Sequence, residues 1–81
     1  MISNLFKKKN WDKPFSEKVA KRISKIAMAD LPSWAEQAIY ETNRSLMAYE
    51  KDKNKVHLED ALLGAEVIHA IVHEMNKRSV L

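Results

Sequence analysis

The last third of the chain carries apolar residues around most of its circumference when it is drawn as a helix. On a helical wheel, residues 58–78 form one broad apolar face that consists of Leu58, Ala61, Ala65, Ile68, Ile71, Val72 and Met75. A second, nearly opposite strip consists of Leu63, Val67 and Ala70. A helix on the surface of a small bundle needs a single apolar face. The two faces therefore predict a helix that is either central in the fold or in contact with another molecule.

The composition favours one small helical domain. The 81 residues include only one glycine and two prolines, and the chain is rich in alanine, leucine, glutamate and lysine, which favour helices. We predict an all-α fold in which residues 15–81 form a small three-helix domain. Residues 1–14 form a basic N-terminal arm, because the sequence around Trp11 has no helical period and Pro14 disfavours helical angles at Lys13.

The first predicted helix runs from Ser16 to about Met28. Ser16 is a residue type that caps helix N-termini, and Glu17 follows it in the first turn, where a negative charge is favourable. The apolar residues of this helix lie on one side. Its other side is basic and carries Lys18, Lys21, Arg22 and Lys25.

The second predicted helix begins at a capping box, Ser33-Trp34-Ala35-Glu36. In this motif the Ser33 side chain accepts a hydrogen bond from the Glu36 amide, and the Glu36 side chain accepts one from the Ser33 amide. We expect the helix to end near Glu50. The side predicted to be buried consists of Ala35, Ala38, Ile39, Thr42, Leu46 and Tyr49.

A polar segment, residues 51–55, separates the second helix from the third. Helix three is predicted to begin between Asn54 and Leu58. So short a connection predicts that helices two and three form an antiparallel helical hairpin. Gly64 lies in the middle of helix three, where glycine costs about 1 kcal/mol relative to alanine. We therefore expect Gly64 to mark a close approach between helices.

Positive charge is concentrated at the N-terminal end of the chain. Residues 1–28 contain eight basic and two acidic residues, whereas the remainder is acidic overall. The arm mixes lysines with large apolar side chains, a combination that suits an anionic membrane surface and also nucleic acid. The residues predicted to contact such a surface are Lys7, Lys8, Lys9, Trp11 and Lys13. The alternative is a tail whose Trp11 and Phe15 fold back on the helices.

Helix three carries one weak candidate metal site. Glu66, His69 and His73 are spaced by three and four residues and share a face, and Glu-x-x-His is half of the ligand set of di-iron bundles. The sequence has no second such pair, so a solvent-facing polar stripe is the favoured interpretation and no metal or other cofactor is expected. No catalytic site is predicted, because one glycine cannot form a phosphate-binding loop and the serines and threonines have structural explanations.

A domain of this size gains stability from a partner. It buries only about 60–65% of its unfolded surface, and the absence of cysteine excludes disulfides. We expect a non-enzymatic protein–protein interaction module that forms a homo-oligomer, most simply a dimer, through Leu63, Val67 and Ala70. The alternatives are a peripheral membrane adaptor and a nucleic-acid- or ribosome-associated protein, each using the arm. The expected location is cytoplasmic, or membrane-peripheral if the arm binds lipid.

Two segments carry a resemblance to known sequences. Residues 31–40 (Leu-Pro-Ser-Trp-Ala-Glu-Gln-Ala-Ile-Tyr) and residues 58–66 (Leu-Glu-Asp-Ala-Leu-Leu-Gly-Ala-Glu) resemble small uncharacterised helical proteins of actinobacteria, over about residues 30–78. The resemblance implies two helices and a short basic start, and it implies no activity.

Overall fold

A computed structural model describes residues 15–79, and this part of the chain folds into three α-helices. Helix α1 spans Glu17–Ile23, α2 spans Leu31–Asp52 and α3 spans Lys55–Ser79. A single turn of 3-10 helix, Met28–Asp30, leads directly into α2. Within the described residues there is no strand, and α2 and α3 form the largest contact between elements. The predicted all-α fold with an antiparallel hairpin of the second and third helices is confirmed.

Helix α1 begins where the sequence predicted and ends earlier. The Ser16 hydroxyl oxygen accepts a hydrogen bond from the Val19 amide at 3.3 Å, which caps the N-terminus. The helix stops at Ile23 instead of near Met28. Its last turn is closed by Ser24, whose hydroxyl donates to the Lys21 carbonyl at 2.7 Å. Such a local side-chain bond competes with continued helix formation.

Helix α2 begins two residues before the predicted capping box, and the prediction of that box was wrong. Asp30 occupies the N-cap position without a side-chain hydrogen bond, and Ser33 lies inside the first turn. The reason is the preceding 3-10 turn, in which the Leu31 amide already bonds to the Met28 carbonyl. Pro32 fits this first turn because amides there have no partner within the helix.

A two-residue connection reverses the chain between α2 and α3. Lys53 adopts the left-handed conformation with φ of 58°, and its amide donates to the Tyr49 carbonyl at 2.7 Å. The Asn54 side chain then accepts the Val56 amide at 3.0 Å and so caps α3. This arrangement satisfies backbone groups at the end of one helix and at the start of the next.

The exposed carboxylate of Asp52 also belongs to this turn. Its Oδ1 accepts the Asn54 amide at 2.9 Å, and its Oδ2 lies 3.0 Å from Nε2 of His57. The hydrogen bond from the Asn54 amide, and after it the one from His57, hold the pKa of Asp52 below its usual value. Both contacts favour the ionised carboxylate.

Gly64 lies at a close contact between α2 and α3, which confirms its predicted role. A Cβ atom at this position would collide with the Thr42 hydroxyl. That hydroxyl is itself fixed, because it donates to the Ala38 carbonyl at 2.7 Å. The absence of a side chain at Gly64 therefore allows Thr42 to contact the backbone of α3.

The apolar core joins all three helices near the C-terminal end of α1. Leu31 and Ile71 are completely buried at its centre. Ile23 from α1 and Ala70 from α3 are also buried there, each with 4% exposure. Partly buried side chains surround this centre, namely Val19, Ile26, Ala35, Val67 and Met75.

The burial of α3 differs from the face predicted by its periodicity. Val67 and Ala70 were expected to point away from α1 and α2, but Ala70 is in the core and Val67 packs against it. That packing expectation was wrong. The reason is that α1 packs against the side of α3 that carries Ala70 and Glu74, which the apolar pattern did not mark as buried. Three residues expected to be buried are instead exposed, namely Leu58, Ala65 and Val72.

Candidate interaction surfaces

One side of the α2–α3 hairpin contains a groove. Its floor is formed by Ala38, Gly64 and Val67, and it has a volume of about 420 Å³. Glu41 and Asp60 line its rim. Helix α1 lies on this same side of the hairpin, because residues of α1 form a second pocket together with Trp34 and Val67. The residues of α1 and its C-terminal extension that line this second pocket are Val19, Arg22, Ile23, Lys25 and Ile26.

The opposite side of the hairpin is apolar and exposed. Ile39 and Leu46 are 53% and 46% exposed, although both were predicted to be buried. They follow Trp34 and Glu41 of the groove by five residues each, which places them roughly 140° around α2. On α3 the corresponding exposed side chains are Leu58, Leu62, Ala65 and Val72. We call these six residues, Ile39, Leu46, Leu58, Leu62, Ala65 and Val72, the open face.

The open face has the spacing of a helix–helix contact. Ile39 and Leu46 are seven residues apart, and so are Leu58 and Ala65, and Ala65 and Val72. A seven-residue spacing keeps side chains on one side of a helix over several turns. Within residues 15–79 no helix covers this face, because α1 packs on the groove side.

The structure separates the three residues that were predicted to mediate self-association. Leu63 is 61% exposed and lines the groove. Val67 is partly buried at the floor of the same groove, and Ala70 is in the core. The three residues therefore do not form one exposed strip, because Val67 and Ala70 pack within the bundle.

Three exposed cations lie on α1, as the sequence predicted, and a fourth, Lys25, lies in the turn that follows the helix. Lys18, Lys21, Arg22 and Lys25 are all exposed. We call them the basic stripe. Lys77 of α3 borders a pocket together with Lys18 and Lys21, and its side chain is 67% exposed. The candidate contacts in the arm, Lys7, Lys8, Lys9, Trp11 and Lys13, lie outside the described residues.

The end of α1 is held to α3 by Arg78, which is positioned by a buried acid that the apolar pattern did not identify. Glu74 is only 8% exposed and accepts a hydrogen bond from Nε of Arg78 at 2.7 Å. Nη2 of Arg78 in turn donates to the Ser24 carbonyl at 3.1 Å. The four-residue spacing of Glu74 and Arg78 is the sequence signal for this ion pair.

Two of the three histidines of α3, His69 and His73, are partly buried and lie against other rings. The centroid of the His69 ring lies 4.5 Å from that of Phe15 and 6.0 Å from that of His73. Both histidines were expected to face solvent, so this differs from the prediction. Within residues 15–79, no three side chains of metal-binding type, including Glu66, His69 and His73, are grouped so that they can hold a metal ion.

Comparison with protein-family models, with curated proteins and with solved structures finds no match to this chain. The resemblance to actinobacterial helical proteins therefore stays a prediction. In the described part of the chain, none of the helices combines the length and the apolar character that crossing a bilayer requires.

Proposed function

We propose that the chain is a non-enzymatic interaction module that forms a homodimer through the open face. The observation that carries this proposal is the row of apolar side chains at helical spacing on the side of the hairpin that α1 does not cover. Isolated apolar residues are common on protein surfaces, whereas a contiguous apolar patch marks an interaction site. The interface proposed here replaces the strip of Leu63, Val67 and Ala70.

The occupant that we propose for this face is a second copy of the chain. Two antiparallel hairpins that pack their apolar sides together form a four-helix bundle, a stable and common architecture. A two-fold axis brings the same patch of each chain together, so every apolar residue of the face is used twice. Because α1 lies on the opposite side of each hairpin, it remains outside the contact.

The available area supports a dimer of moderate affinity. Six partly exposed aliphatic side chains present on the order of 500 Å² per chain. A dimer would bury on the order of 1,000 Å² in total, which is at the lower end of specific protein interfaces. We therefore expect a dimer that assembles at micromolar concentrations and dissociates on dilution.

A matched pair of valine substitutions tests the proposal. Val72 and Val56 both lie on α3 and are 54% and 46% exposed, but they are sixteen residues apart and point roughly 160° away from each other. Analytical ultracentrifugation of the unmodified chain should show a dimer. Val72→Glu should give folded monomers, because the introduced charge is desolvated in the interface, whereas Val56→Glu should remain dimeric.

Two results would contradict the proposal. One is an unmodified chain that stays monomeric at concentrations well above micromolar. The other is a dimer that Leu63→Glu disrupts and Val72→Glu does not, since that would place the contact on the groove side. Circular dichroism of each variant separates loss of association from loss of folding.

A further inference from the structure

The basic stripe of α1 has a charge arrangement that is unfavourable for the helix alone. Lys18 and Lys21, and Arg22 and Lys25, are three residues apart, whereas Lys18 and Arg22, and Lys21 and Lys25, are four apart. Within the stripe every neighbour at these spacings is a like charge, which destabilises a helix, and Glu17, four residues before Lys21, offsets only part of this repulsion. A helix of only seven residues has little stability of its own to offset this repulsion.

The other helices of the domain show the opposite arrangement at the same spacings. Glu41 and Arg44 on α2 are 4.0 Å apart, and Glu74 and Arg78 on α3 are 2.7 Å apart. Opposite charges at these spacings stabilise a helix. The basic stripe differs from these pairs because all of its members have the same sign.

Acidic partners for the stripe are also lacking in the described part of the chain. None of the ion pairs within residues 15–79 includes Lys18, Lys21, Arg22 or Lys25. Glu74 is the buried acid nearest to α1, and Arg78 already binds it. Lys77, whose Nζ lies 4.0 Å from Oε1 of Glu74, adds a fifth exposed cation at the border of the stripe.

We propose that the basic stripe, together with Lys77, binds the anionic surface of a phospholipid bilayer. Exposed apolar side chains lie at both ends of α1, with Phe15 55% exposed before it and Met28 41% exposed after it. A bilayer interface accepts lysines beside apolar side chains. A nucleic acid offers phosphates to the cations and bases that stack on an aromatic ring such as Phe15, but it offers no comparable partner to the aliphatic Met28, so the observations favour the bilayer.

The chain that precedes α1 has the same mixture of residues. It contains Lys7, Lys8, Lys9 and Lys13 among Ile2, Leu5, Phe6 and Trp11. Stable attachment to a membrane surface generally needs two weak signals acting together. The basic stripe supplies one of these signals from the folded domain, and none of its residues belongs to the open face.

The experiment compares two sets of three lysines in the full-length chain. One variant carries Lys18→Gln, Lys21→Gln and Lys25→Gln. The control carries Lys51→Gln, Lys53→Asn and Lys55→Gln at the hairpin turn, where all three lysines are exposed. Both variants lose three positive charges, so any effect of net charge alone is the same. Asparagine is used at position 53 because it tolerates the left-handed conformation.

Co-sedimentation is measured with vesicles of phosphatidylserine and phosphatidylcholine and with vesicles of phosphatidylcholine alone. The unmodified chain should bind the anionic vesicles only, and added salt should weaken the binding. Each lysine at an anionic surface changes affinity by about fivefold, so the stripe variant should bind on the order of 100-fold more weakly. The control variant should bind nearly as well as the unmodified chain.

Three outcomes would overturn the proposal. The first is no binding of the unmodified chain to anionic vesicles. The second is an equal loss of binding in the control variant, which would show that total charge and not the stripe is responsible. The third is tighter binding to an RNA or DNA oligonucleotide than to the vesicles, with the same dependence on the stripe. Circular dichroism confirms that each variant is folded.

Discussion

Substituting alanine for Gly64 tests the close contact of α2 and α3. Alanine in place of glycine within a helix normally stabilises it by about 1 kcal/mol. At Gly64 the new Cβ would collide with the Thr42 hydroxyl, and it would also lie 3.1 Å from the Thr42 Cβ and 3.4 Å from its Cα. Rotation of the hydroxyl alone cannot remove this crowding, so the two helices must separate. We therefore expect the substitution to destabilise the protein.

The magnitude follows from three contributions. Overpacking of a close contact costs about 1–3 kcal/mol. Displacing the β-branched Thr42 side chain also weakens its 2.7 Å hydrogen bond to the Ala38 carbonyl, a loss of about 1 kcal/mol. The gain of about 1 kcal/mol in helix propensity opposes both. The expected net loss is roughly 1–3 kcal/mol, and each kcal/mol lowers the melting temperature of a domain this size by roughly 4–8 °C.

The assay is urea unfolding followed by circular dichroism, at one fixed protein concentration because association shifts apparent stability. Thr42→Ala, alone and combined with Gly64→Ala, completes a double-mutant cycle. Removal of the hydroxyl should make the alanine at position 64 neutral or stabilising. A Gly64→Ala variant that is more stable than the unmodified chain would refute the contact. It would show that the higher helix propensity of alanine is not opposed by a steric conflict with Thr42.

Two further predictions concern helix ends and acid stability. Asn54→Ala removes the cap of α3 and should lower the free energy of unfolding by about 1 kcal/mol, whereas Ser33→Ala should change it by less than about 0.5 kcal/mol. Equal shifts of the urea midpoint in the two variants would contradict this assignment. Because the pKa of folded Asp52 is lowered, its contribution to stability is present at neutral pH and is lost as the pH falls below about 4. Asp52→Asn should therefore lose less stability than the unmodified chain over that acid range, and identical pH profiles of the urea midpoint would argue against it.

The hairpin could be predicted from the sequence because its signals are local. Residues 51–55 are polar, Asn54 is a capping residue, and Gly64 marks the position where a neighbouring helix must come close. The boundary between α1 and α2 could not be predicted in the same way. The 3-10 turn of Met28–Asp30 depends on the complete burial of Leu31 in a core assembled from distant residues, and no local pattern encodes that contact.

The rotation of α3 about its own axis is the feature that hydrophobic periodicity left undetermined. Apolar residues occupy so much of its circumference that several rotations bury similar area. Gly64 and Ile71 are seven residues apart, and together they define the side that α2 and the core contact. The side of α3 next to α1 contains Glu74, which a polarity pattern assigns to solvent. Glu74 is buried instead, because Arg78 pairs with its charge.

Two signals in the sequence therefore bear on this rotation. One is the single glycine of the chain, because only there can α2 approach without a side chain in the way. The other is the Glu74–Arg78 spacing, because an acid paired four residues along the helix can be buried at lower cost than an unpaired one. Together they centre the buried arc on Gly64 and Ile71. That arc leaves Leu58, Ala65 and Val72 outside, and the proposed dimer contact consequently lies on the side that the apolar pattern alone assigned to the core.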